Sequence, residues 1–443
     1  MRYSATARLV VMTVLGLGLL VPLMWVYVIV EERSSRRAEA VGNISDTWGG
    51  PQVLSGLVLA VPYTVASTDA LGRQQRTVHH AFFLPRQLQV DGQMATEVRR
   101  RGIFRVPVYR ASVRMTGRFV RPDLSALQPA AEQVDWNRAS IQVGIRYPRG
   151  IVRRSVLTLR GQPVPVTGGA LETGVFSTGL HGNVPSLDAL PPGADLPFEL
   201  SLEVNGTRDL QLLPNADETT LTLTSGWPHP SFAGAPLPET RRVDATGFAA
   251  QWRVQDFGRP YPAAWTTTGM NRDELAGMAA ASAFGVTLIE PVDIYQQAER
   301  AVKYAFLFIV LTFLVFFLWE VLGAAALHPM QYTFVGFAMC VFYMLLVAIS
   351  EHAGFDLAYG LSSGVTTLLI AGYARSVLGG AKQGSSVLAA LVTLYGFLYL
   401  LLRLEDFALL AGSVGLFLVL ALVMFVTRRM NWYELRLGAR VNQ

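Results

Sequence analysis

The sequence predicts an α + β membrane protein. It has one N-terminal transmembrane helix, a β-rich extracytoplasmic domain of antiparallel, sandwich-like sheets, and a C-terminal five-helix transmembrane bundle. Three observations carry this reading. The 443 residues are 51% hydrophobic and only 16% charged, against about 25% charged in an ordinary soluble protein, and mean hydropathy is +0.34. The charges are unevenly spread, common from Glu31 to Lys303 and rare from Tyr304 to Thr427. The segment from Glu290 to Ala326, EPVDIYQQAERAVKYAFLFIVLTFLVFFLWEVLGAAA, passes from polar to almost purely apolar. Its apolar part is long enough to cross a bilayer, which takes about 20 residues.

Residues 1–30 form the anchor. Arg2 and Arg8 precede an apolar run over residues 9–30 that contains Pro22. A cleaved signal peptide and an uncleaved anchor compete here. The triplet Ala38-Glu39-Ala40 mimics a cleavage site, but EERSSRR separates it from the run. The run also exceeds the roughly 7–15 residues of a signal core. The uncleaved anchor is therefore preferred, and a proline is tolerated where neighbours satisfy the freed carbonyl.

Residues 31–290 read as the β-rich domain, large enough for a real core. PQVLSGLVLAVPYTV is β-rich, and FRVPVYRASVRMTGRFV sets Val106, Val108, Val113 and Met115 against Arg110, Arg114 and Arg118. Asp91-Gly92 offers a hairpin turn. Gly and Pro recur every ten residues or so, which suits a sandwich. No helix of comparable strength is expected before the region near Asp273. Residues 291–303 form a helical connector, started by Pro291 just inside its first turn.

Residues 304–427 hold five apolar runs, at about 304–326, 332–350, 357–374, 386–402 and 405–427, and residues 428–443 form a basic tail. Basic residues in short loops mark the cytoplasmic side. With the N-terminus cytoplasmic, that side holds Arg2, Arg8, Arg375, Lys382, Arg428, Arg429, Arg436 and Arg440. The opposite short loops hold Glu351, His352, Asp356, Arg403, Glu405 and Asp406. Both termini then lie inside and the β-rich domain outside. Arg33, Arg36 and Arg37 run against the pattern, but long translocated domains largely escape it.

The net charge of +5 and pI of about 9.4 come largely from arginines at membrane ends. They express topology, and no nucleic-acid partner is expected. Cys340, the sole cysteine, lies in an apolar run and reads as a small buried hydrophobe that can form no internal disulfide. Among six histidines there is no HExxH and no zinc spacing. His79 and His80 fall in a strand, where neighbours face opposite sides. Nucleotide-loop and nucleophile-elbow patterns are absent, so neither metal nor cofactor is expected. Gly360 and Gly364 form a GxxxG, a close-contact helix face, read as intramolecular packing in preference to dimerisation.

Ionisable groups near the membrane merit a functional hypothesis. Glu320 lies four to six residues from the cytoplasmic end of its span. It is either an interfacial residue beside Trp319 or a proton- or substrate-linked carboxylate. Glu351, His352 and Asp356, with Arg403, Glu405 and Asp406, form the second candidate. There Arg403 would pair with Glu351 or Glu405, and the patch would dock the sheet domain or bind a lipid head group. Both sets also allow a purely structural reading, as caps on short loops.

The chain resembles a known family. WPHPSFAGAPLP, EPVDIYQQAERAVKYAFLFIVLTFLVFF, HPMQYTFVGFAMCVFYMLLVAISEHAGFDLAY and LYGFLYLLLRLEDFALLAGS look like blocks of the CreD family, in the right order. LPRQLQVDGQMATEVRRRGIFRVPVYRASVRMTGRF looks like its periplasmic signature. The resemblance implies a bacterial inner-membrane protein linked to envelope integrity and stress, with no catalytic residue to carry over. One departure is Tyr147-Pro148 before Arg149-Gly150, where the family pattern has an acidic residue. Partners are then the lipid bilayer and either a periplasmic envelope protein or a lipid head group. Three functions remain open: a non-enzymatic scaffold or sensor, preferred; a transporter or lipid-handling protein; and a membrane-bound hydrolase, for which no motif is present.

Overall fold

The computed structural model describes residues 5–68, 74–124, 131–184, 187–290, 294–321, 327–404 and 407–428. Its helices are α1 Ala5–Gly18, α2 Leu20–Trp48, α3 Arg272–Ala281, α4 Ile294–Val321, α5 Pro329–Ala353, α6 Phe355–Val377, α7 Ala381–Arg403 and α8 Ala408–Thr427. Two compact units emerge. One comprises Met1–Ala38 and Val292–Gln443, the other Glu39–Pro291.

The helical unit contains the apolar helices. Among the described residues six stretches are long and apolar enough to cross a membrane: the N-terminal one through α1 and α2, then α4 to α8. The expected N-terminal apolar helix is present, with a break at Leu19 between α1 and α2. Pro22 explains it, since it has no N–H for the carbonyl one turn back at Gly18 and its ring crowds that carbonyl. The helix then continues past the apolar run through EERSSRR to Trp48 without interruption. The helix start expected at Pro291 lies outside the described residues.

The core of this unit is aromatic and aliphatic, with Phe308, Phe342, Tyr343, Leu346 and Leu398 almost fully enclosed. Cys340 is buried among them and unpaired. Phe342 packs edge-on against Tyr343, Tyr359 and Tyr395, a favoured geometry for ring quadrupoles. Gly360 and Gly364 differ from expectation. A Cβ placed at either would meet nothing within 4 Å, so this GxxxG face is open.

The other unit is a sandwich of a ten-stranded and an eight-stranded sheet. Side chains from both fill one core, including Leu57 and Leu59 of strand Gln52–Thr68, Val90 of Gln87–Arg101 and Met115 of Phe104–Val120. The sheets are mixed rather than purely antiparallel. Gln52–Thr68 runs parallel to Asp209–Leu212, and Gln87–Arg101 runs parallel to Glu218–Ser225. Strand Gln52–Thr68 is apolar on both faces because both are covered. Its other face, at Val53, Val58 and Ala60, packs under Leu275 and Ala279 of α3 and under Tyr261 and Trp265.

The turn expected at Asp91-Gly92 does not form. The strand runs through both residues and turns at Gly102, where φ is +60°. Leu88, Val90, Gly92 and Met94 share the inward face. At Gly92 a Cβ would lie 2.5 Å from Leu223 Cδ2 of the neighbouring strand, so the glycine serves close packing rather than a turn. Arg110, Arg114 and Arg118 do face outward as their alternation predicts. Val106 and Val108, on that same outward side, are buried by Ile44 of α2.

At the end of α2 the chain must leave carbonyls without helical partners. The N–H groups of Gly49 and Gly50 both donate to Ser45 O, at 3.0 and 2.8 Å, with Gly50 left-handed at φ +67°. Gln52, fully buried, then reaches three carbonyls through Nε2: Gly49 at 2.8 Å, Tyr147 at 3.0 Å and Asn205 at 3.0 Å. Its Oε1 accepts the Tyr147 N–H at 3.3 Å. Gly150 leaves room, since a Cβ there would sit 2.6 Å from that amide nitrogen. The Tyr147-Pro148 departure therefore lies in a structural knot. Gln52→Leu, which keeps the bulk and removes the amide, is expected to destabilise the protein by about 1–3 kcal/mol. Tryptophan-fluorescence unfolding of the full chain in detergent would measure it, and an unchanged midpoint would refute the knot's importance.

Candidate functional site

Among the described residues of the helical unit, three polar clusters are built at helix junctions. The first surrounds Glu320 in the last turn of α4. The residue is only 3% exposed. A carboxylate there must be hydrogen-bonded to be tolerated. Oε1 accepts the backbone N–H of Leu327 at 3.1 Å, and Oε2 accepts the Tyr332 hydroxyl at 3.0 Å. Phe313 and Phe316 flank the Tyr332 ring edge-on. His328 caps α5 from the same junction through a reciprocal box with Gln331. The carboxylate thus ties the end of α4 to the start of α5.

The second cluster is centred on Glu351, in the last turn of α5, whose side chain is 7% exposed. The Tyr295 hydroxyl of α4 donates to its Oε1 at 3.0 Å, and Arg33 Nε of α2 lies 3.7 Å from the same oxygen. Three helices meet on one carboxylate. The third cluster joins α6 to α7. Arg403 pairs with Asp356, the Tyr399 hydroxyl donates to Asp356 Oδ1 at 3.0 Å, and Arg403 Nε donates to the Tyr399 oxygen at 3.2 Å. Both charges are exposed, Arg403 at 45% and Asp356 at 60%. Asp356 lies in the first turn of α6 and Arg403 in the last turn of α7, where each also suits its helix dipole.

The partner of Arg403 therefore differs from expectation. Glu351 is engaged by Arg33 and Tyr295, and Asp356 is the carboxylate beside the α7 end. Glu405 and Asp406 lie outside the described residues. His352 is exposed and places Nδ1 3.2 Å from Ala348 O of its own helix. Arg375 and Lys382 sit exposed at the α6–α7 junction, and the Arg428 guanidinium stacks 4.0 Å from the Phe425 ring. Arg8 falls in α1, while Arg2, Arg429, Arg436 and Arg440 lie outside the described residues.

Several partners are not legible in the sequence. There Arg33 figures only as an exception to the charge pattern, and the hydroxyls of Tyr295, Tyr332 and Tyr399 carry no motif. Tyr399 and Arg403 stand four apart on one helix, which places them on one face. That spacing was the one available signal.

In the β-rich unit, His79 packs against Tyr63 with the rings tilted, while His80 stacks on Phe82 and sits 2.8 Å from the Glu172 carboxylate. Burial holds the His80 pKa below the usual value despite Glu172, and Arg138 and His79 push the same way. Arg259, its side chain 4% exposed, lies 3.7 Å from Asp217, which also takes Arg86 at 2.7 Å. Burial lowers the Arg259 pKa and raises that of nearby Tyr261, whose hydroxyl donates to Asn215 Oδ1 at 2.6 Å. Among the described residues no group of three His, Cys, Asp or Glu side chains is placed to hold a metal ion.

The profile of a family described as "Inner membrane protein CreD" matches residues 4–433. The inner membrane protein CreD of Escherichia coli (strain K12) is 34% identical over 427 residues, covering 95% of this chain and 92% of that protein. Among solved structures, a mutant M1 zinc metallopeptidase from Deinococcus radiodurans bound to a Tyr-ser-ala substrate aligns at 13% identity. It covers 39% of each chain at a TM-score of 0.20, and a likeness that weak carries no argument.

The Glu351 cluster makes a direct prediction. Glu351→Ala removes the carboxylate that accepts from the Tyr295 hydroxyl and lies beside Arg33, and is expected to cost about 1–3 kcal/mol. Glu351→Gln, whose amide oxygen still accepts from Tyr295, should lose less than half of that. Thermal unfolding of the two purified variants would decide it, and equal losses would count against the tie.

Proposed function

From the premise that this chain belongs to the CreD family of inner membrane proteins, we propose that it is a non-enzymatic scaffold or sensor supporting cell-envelope integrity under stress. One observation carries the reading. The candidate charges of the helical unit that are described, other than His352, are spent on joining helices: Glu320 joins α4 to α5, Glu351 joins α2, α4 and α5, and Asp356 with Arg403 joins α6 to α7. A transport site would hold ionisable groups facing a pathway. These carboxylates instead accept hydrogen bonds across helix junctions.

The orientation we propose has both termini in the cytoplasm and the β-rich unit in the periplasm. Support comes from which helix ends coincide. Arg33 meets Glu351, Tyr295 meets Glu351, and Asp356 meets Arg403. The end of the first apolar stretch, the start of α4, and the α5–α6 and α7–α8 junctions therefore share one side. The basic α6–α7 junction and Arg428 fall to the other, which the positive-inside rule makes cytoplasmic.

Orientation is tested by cysteine labelling in a Cys340→Ala background. In intact spheroplasts a membrane-impermeant maleimide should modify Thr240→Cys and leave Lys382→Cys untouched. The reverse pattern would invert the topology.

Function is tested by complementing a deletion strain under envelope stress, with dye leakage as readout. The intact chain should restore integrity. Glu320→Gln should do so as well, because the amide can still accept from Leu327 N–H and meet the Tyr332 hydroxyl. A Glu320→Gln chain that inserts normally and fails would favour transport chemistry instead.

A further inference from the structure

Helices α6 and α7 do not close fully on each other. A groove of about 460 Å³ runs between them, within the usual range for a ligand cleft. Gly360 and Gly364 of α6 and Gly396 of α7 line it, and a Cβ at any of the three would meet no atom within 4 Å. Leu368 and Val392 form its lips and are 68% and 59% exposed. The groove therefore opens on the apolar outer surface of the helices. Of the hydroxyl side chains that line it, Ser363 donates to Gly360 O of its own helix at 3.3 Å and Tyr359 to the Tyr395 carbonyl at 2.6 Å, and the long part of the groove is mainly apolar.

One end is different. Asp356 and Tyr399 line it, and Arg403 contacts both. A cation and an anion stand there side by side, both open to solvent. The groove thus has an apolar trough and a charged mouth of two signs.

We propose that this groove binds one phospholipid with a phosphoethanolamine head group. The acyl chain lies along Gly360, Gly364 and Gly396. The phosphate takes the Arg403 guanidinium, a geometry arginine suits, and the primary ammonium takes the Asp356 carboxylate. Charge complementarity selects a zwitterion, because a purely anionic head group would set a negative charge against Asp356. From Asp356 to Leu368 the groove follows about 18 Å of helix at 1.5 Å per residue. The lipid site goes beyond the scaffold reading and does not rest on it.

The test is native mass spectrometry of the full chain, delipidated in detergent and titrated with palmitoyl-oleoyl phosphatidylethanolamine, phosphatidylcholine or phosphatidylglycerol. Gly364→Leu fills the trough at a position with no neighbour to clash, and should lower phosphatidylethanolamine occupancy by about tenfold, near 1.4 kcal/mol. Asp356→Asn should reduce the preference for phosphatidylethanolamine over phosphatidylglycerol to near parity, with unfolding midpoints checked on each variant. Equal retention of all three lipids by the intact chain and by Gly364→Leu would overturn the proposal in favour of an unspecific lipid annulus. A dimer of the intact chain that Gly364→Leu splits would overturn it in favour of self-association.

Discussion

Buried polar groups must find partners, and the β-rich unit is organised around one that does so several times over. Gln52 follows directly on the left-handed end of α2 and opens the strand that pairs with four others. Its amide meets carbonyls from Gly49 at the end of α2, from Tyr147 just after the strand Ser140–Ile145, and from Asn205 in the strand Asp195–Thr207. An unmet carbonyl in that dry place would cost as much as the hydrogen bond itself. A single side chain thus fixes where the helix stops and how two distant strands arrive. Around it, Trp48 donates to Tyr109 O at 3.2 Å while Arg99 covers the same indole at 3.8 Å. The paired strands Gln87–Arg101 and Phe104–Val120 are thereby each held against the helix end.

The helical unit solves the same problem with charges. A carboxylate among apolar side chains is tolerated only if donors converge on it. Glu320 and Glu351 each receive a tyrosine hydroxyl from another helix. Tyrosine is suited to this, since its ring packs in the core while its hydroxyl reaches the acid. The result is specificity of helix pairing more than stability, because each acid accepts only the neighbour that presents its donor. Asp356 and Arg403 use the same device at an exposed position, where the ion pair contributes little stability and both charges remain accessible.

Much of the fold was legible because it follows from hydropathy and period. A run of twenty apolar residues has few alternatives to a spanning helix, and alternation placed Arg110, Arg114 and Arg118 outward without further information. Glycine was less legible, since the residue serves opposite purposes. Asp91-Gly92 carries a turn signature but lies mid-strand, where Leu223 takes the space its side chain would need. Gly360 and Gly364 carry a packing signature but face a gap, because Gly396 of the next helix is also without a side chain to fill it. Of the candidate site, the residues were recognisable as costly charges, while their pairings were not.

The sequence by itself determined the six apolar stretches, the β-rich middle, the lack of an internal disulfide and which charges lie at helix ends. These depend on composition and local period, which each segment carries alone. Only the tertiary structure decided that Arg403 meets Asp356 while Arg33 takes Glu351, that Glu320 closes the α4–α5 junction, and that two pairs of strands run parallel. Those outcomes depend on which helix ends and strand edges come to lie side by side, and that is a property of the packed chain rather than of any segment in it.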